Sequence, residues 1–267
     1  MKTLKIGDVQ VVPLIDGTGM ECARDVLHRH GSPDEWDLHP EETNADGDLH
    51  LTLGGFLIRT GDRVILVDAG VGTIDNGRYR GGLFLESLRA QGVEPEDVTD
   101  VAFTHLHFDH VGWATQKGRV VFENATHHVH AADWEHFVED VNSEPGAVRK
   151  LAPLTSHLST FAEGTTLAPG LDARPAVGHT PGSTVFVISD HGEKLVLLGD
   201  VAHHPLELTQ NGWSFHFDHS SETAARSREE LVAEFCDTDV LIAAGHFPDL
   251  QPGRLSTVAG SVAWSTI

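Results

Sequence analysis

Residues 104–110 read Thr-His-Leu-His-Phe-Asp-His, which places His105, His107, Asp109 and His110 within six positions. Neutral imidazole and ionised carboxylate are the ligands favoured by zinc and its first-row neighbours. In an extended segment His105 and His107 project to the same side. A turn at Asp109 then aims Asp109 and His110 at a second point nearby. One short segment can in this way feed two metals, at a usual spacing of roughly 3.5–4 Å. The chain holds 19 histidines, so chance clusters are expected. His127, His128 and His130 form such a cluster; it lacks a carboxylate, lies in a strand-like run, and fits a structural or surface role.

Three more residues join the first group. His179 lies in the turn-rich segment Gly178-His179-Thr180-Pro181-Gly182-Ser183, Asp200 follows the apolar run LVLLG, and His246 follows LIAAG. A carboxylate at the end of a buried strand is costly unless a positive neighbour neutralises it. Strands are expected at 98–104, 172–177, 194–198 and 239–244, and each ends at a potential ligand. Strand ends are where open α/β sheets place their sites.

These ends need a frame to hold them. Residues 4–15 predict an opening strand or two. Residues 51–59 and 63–68 predict a hairpin around Thr60-Gly61-Asp62, closed by Asp68-Ala69-Gly70. Further short strands are expected near 120–122, 128–130 and 184–189, with helices at 82–91, 132–140 and 222–235. Residues 17–50 are polar and aperiodic. They are read as a surface excursion with at most a short helix around Cys22–His30, a candidate lid or dimer arm. The pattern suggests two sheets with helices outside, in a single domain spanning 1–267.

Composition narrows the function classes. Eighteen Lys and Arg against 40 Asp and Glu give a net charge of −22. Such a surface repels phosphate backbones and anionic membranes, so neither nucleic acid nor a membrane is an expected partner; a small neutral or apolar molecule is. No apolar run is long enough to span a bilayer, and the N-terminus lacks the apolar stretch of a signal peptide, so a cytoplasmic location is expected. Cys22 and Cys236 are far apart and read as reduced.

The order HxHxDH, GHTPGS, GD and AGH resembles the metallo-β-lactamase superfamily, from about Gly54 onward. The resemblance implies a four-layer αββα sandwich with two divalent ions per chain at one edge of its sheets. It implies that His105, His107 and His179 hold the first ion, that Asp109, His110 and His246 hold the second, and that Asp200 bridges both. It also implies that Asp68 braces the histidine loop. Zinc is the default metal, with Mn, Fe or Co fitting the same ligands. The closest resemblance is to the methyl parathion hydrolase and acyl-homoserine lactonase branch, and the stretch GDVAHHPLEL…FHFDHSSETAARSREEL…AAGHFP…GRL looks like the methyl parathion hydrolase type in particular.

That branch implies hydrolysis of a neutral ester-like bond (lactone, carboxyl ester or phosphotriester) by a metal-bridging hydroxide, in an enzyme that can form a homodimer. Asp109 is then a catalytic candidate that orients the hydroxide or takes its proton. Lactonases of this branch place a Tyr three residues after the bridging Asp; here that position is His203, a second catalytic candidate, and the single tyrosine is Tyr79. Trp113, Trp213 and Phe215 flank the motifs as candidate pocket walls. Two alternatives stay open: a mononuclear iron oxygenase of the same fold, and a non-catalytic metal-binding protein.

Overall fold

The computed structural model describes residues 3–30 and 35–267. Strand alternation decides how its apolar runs are used, because successive side chains point to opposite faces of a sheet. Phe56 and Ile58 of Asp48–Thr60, with Ile65 and Val67 of Arg63–Val67, face Phe186, Ile188, Leu195, Leu197, Leu241 and Ala243 across a buried layer between two sheets. Their neighbours Leu57 and Leu66 face outward, onto Phe84, Leu88, Trp134, Leu151 and Leu154 from helical segments. On the far side Val185, Val196 and Ile242 pack on Leu231 and Phe235 of the helix Ser221–Phe235. These layers make the αββα sandwich. The central strands are covered on both faces, so they read in sequence as unbroken apolar runs.

The first sheet has nine strands and the second seven. In the first, Arg63–Val67, Asp100–Ala102, Thr126–His130 and Leu158–Phe161 run parallel. In the second, Glu193–Leu197 and Leu241–Ala243 run parallel. Asp68, the 104–110 loop, Asp200 and His246 all follow the carboxyl ends of these strands. The Thr184 amide donates to the Thr104 carbonyl at 2.9 Å, joining the two sheets at that edge.

Residues 17–50 differ from the expected excursion. Val9–Cys22 is one strand of 14 residues, and it pairs with Asp48–Thr60 from Gln10 opposite Arg59 to Cys22 opposite Asp48, with a bulge between Ile15 and Gly17. The helix is confined to Ala23–Val26, and Leu27–Arg29 pairs with Trp213–Phe215. Trp36, Leu49 and Leu51 bury against Leu206, Trp213 and Phe215 in a fourth apolar cluster. The strand escapes sequence reading because Gly17, Thr18, Gly19 and Glu21 carry no alternating apolar signal. Residues 31–34 of this segment lie outside the described residues. The helix expected at 132–140 is a short turn, Ala131–Trp134, followed by a π turn over Glu135–Glu139. A closing hairpin pairs Gly253–Val258 with Ser261–Thr266; its mostly exposed, polar residues leave no apolar run to mark it in the sequence. No helix among the described residues is long and apolar enough to cross a membrane.

Two buried carboxylates pin the first sheet. Asp16 accepts from the amides of Val71, Gly72, Gly82 and Phe84 and from the Trp113 indole. Asp100 accepts from Arg63, from Thr99 at 2.6 Å and from His128 at 2.9 Å. Burial opposes the charge on Asp100, but His128, Arg63 and Thr99 outweigh it and hold its pKa at about 2. A carboxyl depressed in the fold stabilises it fully above the unfolded value, and that stability is lost as pH falls through the folded value. Arg63 is a third exposed, so the contribution is discounted to about 1–2 kcal/mol. Asp100→Asn should therefore lose about that much stability near pH 7, with the gap to wild type narrowing as pH falls from about 4 toward 2. Urea unfolding at both ends of the window checks this, and a gap independent of pH would contradict it.

Candidate metal centre

Strained backbone sits at the strand ends that carry the site. Asp68 has φ 61°, a left-handed conformation that a non-glycine residue adopts only when its surroundings over-determine it. Its carboxylate supplies that support. It accepts from the Thr104 amide, the Thr104 hydroxyl and His110 Nδ1, each at 2.8 Å. Gly199, just before Asp200, has φ 55°, and a Cβ there would lie 2.6 Å from the Thr104 Cβ. Only glycine lets the Asp200 turn close onto the histidine loop. Asp133 ties the next loop in, accepting from the Leu106 amide, the Thr180 hydroxyl and the Gly182 amide. Burial pushes its pKa up to about 6 against those three donors.

All seven residues singled out by motif come together. His105 Nε2 is 3.0 Å from His107 Nδ1, which is 2.9 Å from His179 Nε2. Asp109, His110 and His246 form an adjoining group, with His246 Nε2 3.6 Å from Asp109 Oδ2. Asp200 lies between the groups. Its Oδ2 is 3.0 Å from His246 Nε2, 3.6 Å from His179 Nε2 and 3.8 Å from His105 Nε2, and its Oδ1 is 3.2 Å from His110 Nε2.

The outer ring nitrogens fix which way the inner ones act. His105 Nδ1 meets the Thr104 hydroxyl, whose own proton goes to Asp68. His110 Nδ1 meets Asp68, His179 Nδ1 meets Asp218 at 3.0 Å, and His246 Nδ1 meets the Thr52 carbonyl at 3.2 Å. Each outer nitrogen therefore donates, and a neutral ring then turns a lone pair inward. Several inward lone pairs face one another with few protons between them. His110 Nε2 and Asp200 Oδ1 are buried and make no hydrogen bond despite their proximity. Such orphaned acceptors fit a cation. Two nitrogens bound to one tetrahedral zinc sit roughly 3.3 Å apart, close to the spacing of the first trio.

The charges agree. Burial drives His105 and His179 below the usual imidazole range and takes His107 to about 3, so this trio is neutral. Burial opposes the charge on Asp200, but the surrounding imidazoles, His110 and His246 foremost, hold its carboxyl well below the ordinary value. Burial likewise disfavours a proton on His110, yet Asp200, Asp68 and Asp109 push its pKa well above the usual range. The point where those carboxylates converge demands positive charge, which a proton or a metal cation can supply.

His203 belongs to the same cluster. Its Nε2 is 3.3 Å from Asp200 and its ring stacks on Phe215 at 3.5 Å. Glu207 accepts from the amides of His203 and His204 and pairs with the buried Arg228 at 2.7 Å. Burial works against a proton on His203, but Asp200 and Glu207 outweigh it and raise its pKa to about 10. Phe215 lines the adjoining cavity of about 270 Å³. Trp113 and Trp213 do not line it. They sit behind it in apolar clusters, Trp113 on Asp16 and Trp213 on Trp36.

The histidines at 127–130 are placed elsewhere. His127 is buried and held near pKa 4 by desolvation, His128 serves Asp100, and His130 accepts from the Ala132 amide. Sequence reading missed several residues of the centre. Asp218 sits within the quoted FHFDHS stretch without an assigned role, Glu207 follows His203 at helical spacing, and Glu21 and Tyr79 line the cavity from strands with no motif to mark them.

The family described as the metallo-beta-lactamase superfamily matches residues 55–246. An N-acyl homoserine lactonase from Bacillus sp. is 28% identical over 225 residues, spanning 77% of this chain and 84% of the relative. The N-acyl homoserine lactonase AttM of Agrobacterium fabrum is 28% identical over 178 residues, spanning 62% of this chain and 64% of the relative. The solved structure of AidC, a dizinc quorum-quenching lactonase in complex with a product, superposes with a TM-score of 0.88 at 25% identity, covering 100% of this chain and 97% of that one. The structure of AbOPH, a hydrolase in the beta lactamase superfamily, superposes with a TM-score of 0.87 at 26% identity, covering 99% and 96%. The motif order, the sandwich and the converging strand ends meet in one conclusion: the chain belongs to the metallo-β-lactamase superfamily.

Proposed function

We propose that this chain is a binuclear hydrolase of a neutral ester-like bond, with a lactone as the first substrate class and two zinc ions as its resident metals. The observation that carries this reading is the buried Asp200 carboxylate between two groups of inward-facing imidazoles. His105, His107 and His179 would hold one ion, Asp109, His110 and His246 the other, and Asp200 would contact both. Bound metals of this kind supply Lewis acidity and water that ionises near neutral pH.

The chain's own residues do the rest. Asp109, at the cavity wall, is placed to orient the attacking water and accept its proton. His203, stacked on Phe215 with Nδ1 toward Glu207 and Nε2 toward Asp200, lies at the cavity wall as the candidate donor to the developing oxyanion or the departing oxygen. Leu51, Phe108, Phe215 and Phe217 keep the remaining wall apolar. The charge of −22 favours an uncharged substrate over a polyanion. The lactonase names of the relatives support a lactone ahead of an aryl ester or a phosphotriester. The two unpaired cysteines support a cytoplasmic location.

Zinc-loaded protein should hydrolyse an acyl-homoserine lactone fastest on a panel with an aryl ester, a phosphotriester and a β-lactam, and a chelator should abolish turnover. No turnover of the lactone, aryl ester or phosphotriester with metal bound would overturn the reading. Asp200→Ala should lose bound metal and most activity; full metal content and rate in that variant would reject its assignment. Asp218→Ala frees His179 Nδ1 and should weaken metal affinity by about 10- to 100-fold. Competition against a zinc chelator measures this, and unchanged affinity would show that the Asp218 contact orients nothing.

A further inference from the structure

The buried face of the helix Ser221–Phe235 carries Ala224, Leu231 and Phe235, and among them Arg228, only 4% exposed. A charged side chain is almost never buried this far unless it is paired. Arg228 spends its guanidinium on three acceptors from three segments. Its Nη1 donates to the Val201 carbonyl at 2.8 Å, one residue past Asp200, and to Glu207 Oε1 at 2.7 Å, in the helix Pro205–Thr209. Its Nη2 donates to the Trp213 carbonyl at 2.7 Å, in the strand Trp213–Phe215.

These segments meet at His203. Glu207 Oε2 accepts from the His203 amide at 2.6 Å and from the His204 amide at 3.0 Å. Phe215 lays its ring against His203, 14° from parallel. The His203 ring itself makes no hydrogen bond among the described residues: its Nδ1 lies 3.6 Å from Glu207, its Nε2 lies 3.3 Å from Asp200, and both nitrogens are buried. Its direction is therefore set by its own backbone and by its stacking partner, and Arg228 holds the segment behind each. We propose that Arg228 is a positioning residue that fixes the His203 ring at the cavity wall; this deepens the hydrolase reading and rests on it. A lysine does not replace it. The Glu207 carboxylate and the Trp213 carbonyl are reached from two different nitrogens of a planar fork, whereas an ammonium is a single point. R228K keeps the charge beside Glu207 and releases the strand that carries Phe215.

The test is a cycle of zinc-loaded R228K, H203A and the double variant on the best substrate of the panel, with zinc content measured in each. R228K should lower kcat by about tenfold or more, with KM little changed and two zinc ions per chain retained. In the H203A background the same change should cost less than about twofold, because the ring it acts on is gone. A merely structural role would cost the same factor in both backgrounds and overturn the proposal. Zinc lost in step with rate would place the effect on the Asp200 turn and overturn it as well. E207Q breaks the chain one link nearer to His203 and runs the same cycle if R228K does not fold. Histidine 15N NMR reads the ring without turnover: R228K should move the His203 ring signals, identified by their absence in H203A, and leave those of the other site histidines in place. If wild type hydrolyses nothing on the panel, the hydrolase reading fails while the NMR still decides what Arg228 holds. A His203 ring unmoved by R228K would overturn the proposal.

Discussion

A carboxylate buried among imidazoles is the constraint on which the rest of the structure depends. Asp200 is 6% exposed and lies within 4 Å of nitrogens from five histidines. Removing such a charge from water costs several kcal/mol unless matching charge and hydrogen bonds offset it. The histidines cannot offset it fully, because most commit their outer N–H to another acceptor and turn a lone pair inward. Divalent cations held between the two groups would resolve the arrangement, and the braces around it restrict any other relaxation.

The means is a set of buried acceptors fixed from behind. Asp68 holds Thr104 and His110, Asp218 holds His179, Asp133 joins the loops of His105 and His179, and Glu207 holds the His203 turn. Each brace acts near a strand end, and the strands are rigid because both their faces are buried. Placement passes from apolar packing to strand ends, from strand ends to braces, and from braces to ring orientation. The left-handed conformation of Asp68 and the close approach at Gly199 are strains that this packing sustains.

Much of this was legible in the sequence, for a physical reason. Metal-binding residues cluster by type at fixed spacing, and central strands announce themselves as apolar runs, so the seven converging side chains and the layered sandwich could be read from His105 to His246. The braces were harder. A lone Asp218 or Glu207 looks like any polar loop or helix residue until its partner is placed beside it. The wall formed by Glu21 and Tyr79 was not legible at all. Its strand is rich in glycine and polar residues, and its stability comes from pairing with Asp48–Thr60 and from a tyrosine ring covering Gly19, both of which are long-range.

The central claim is that the two side-chain groups around Asp200 act together, each holding an ion. Stepwise addition of zinc to metal-free protein, with lactone hydrolysis followed alongside, tests it most directly. The account predicts activity that climbs until about two equivalents per chain are bound and then levels. Full activity at one equivalent, or activity restored only by a single iron with consumption of oxygen, would contradict it.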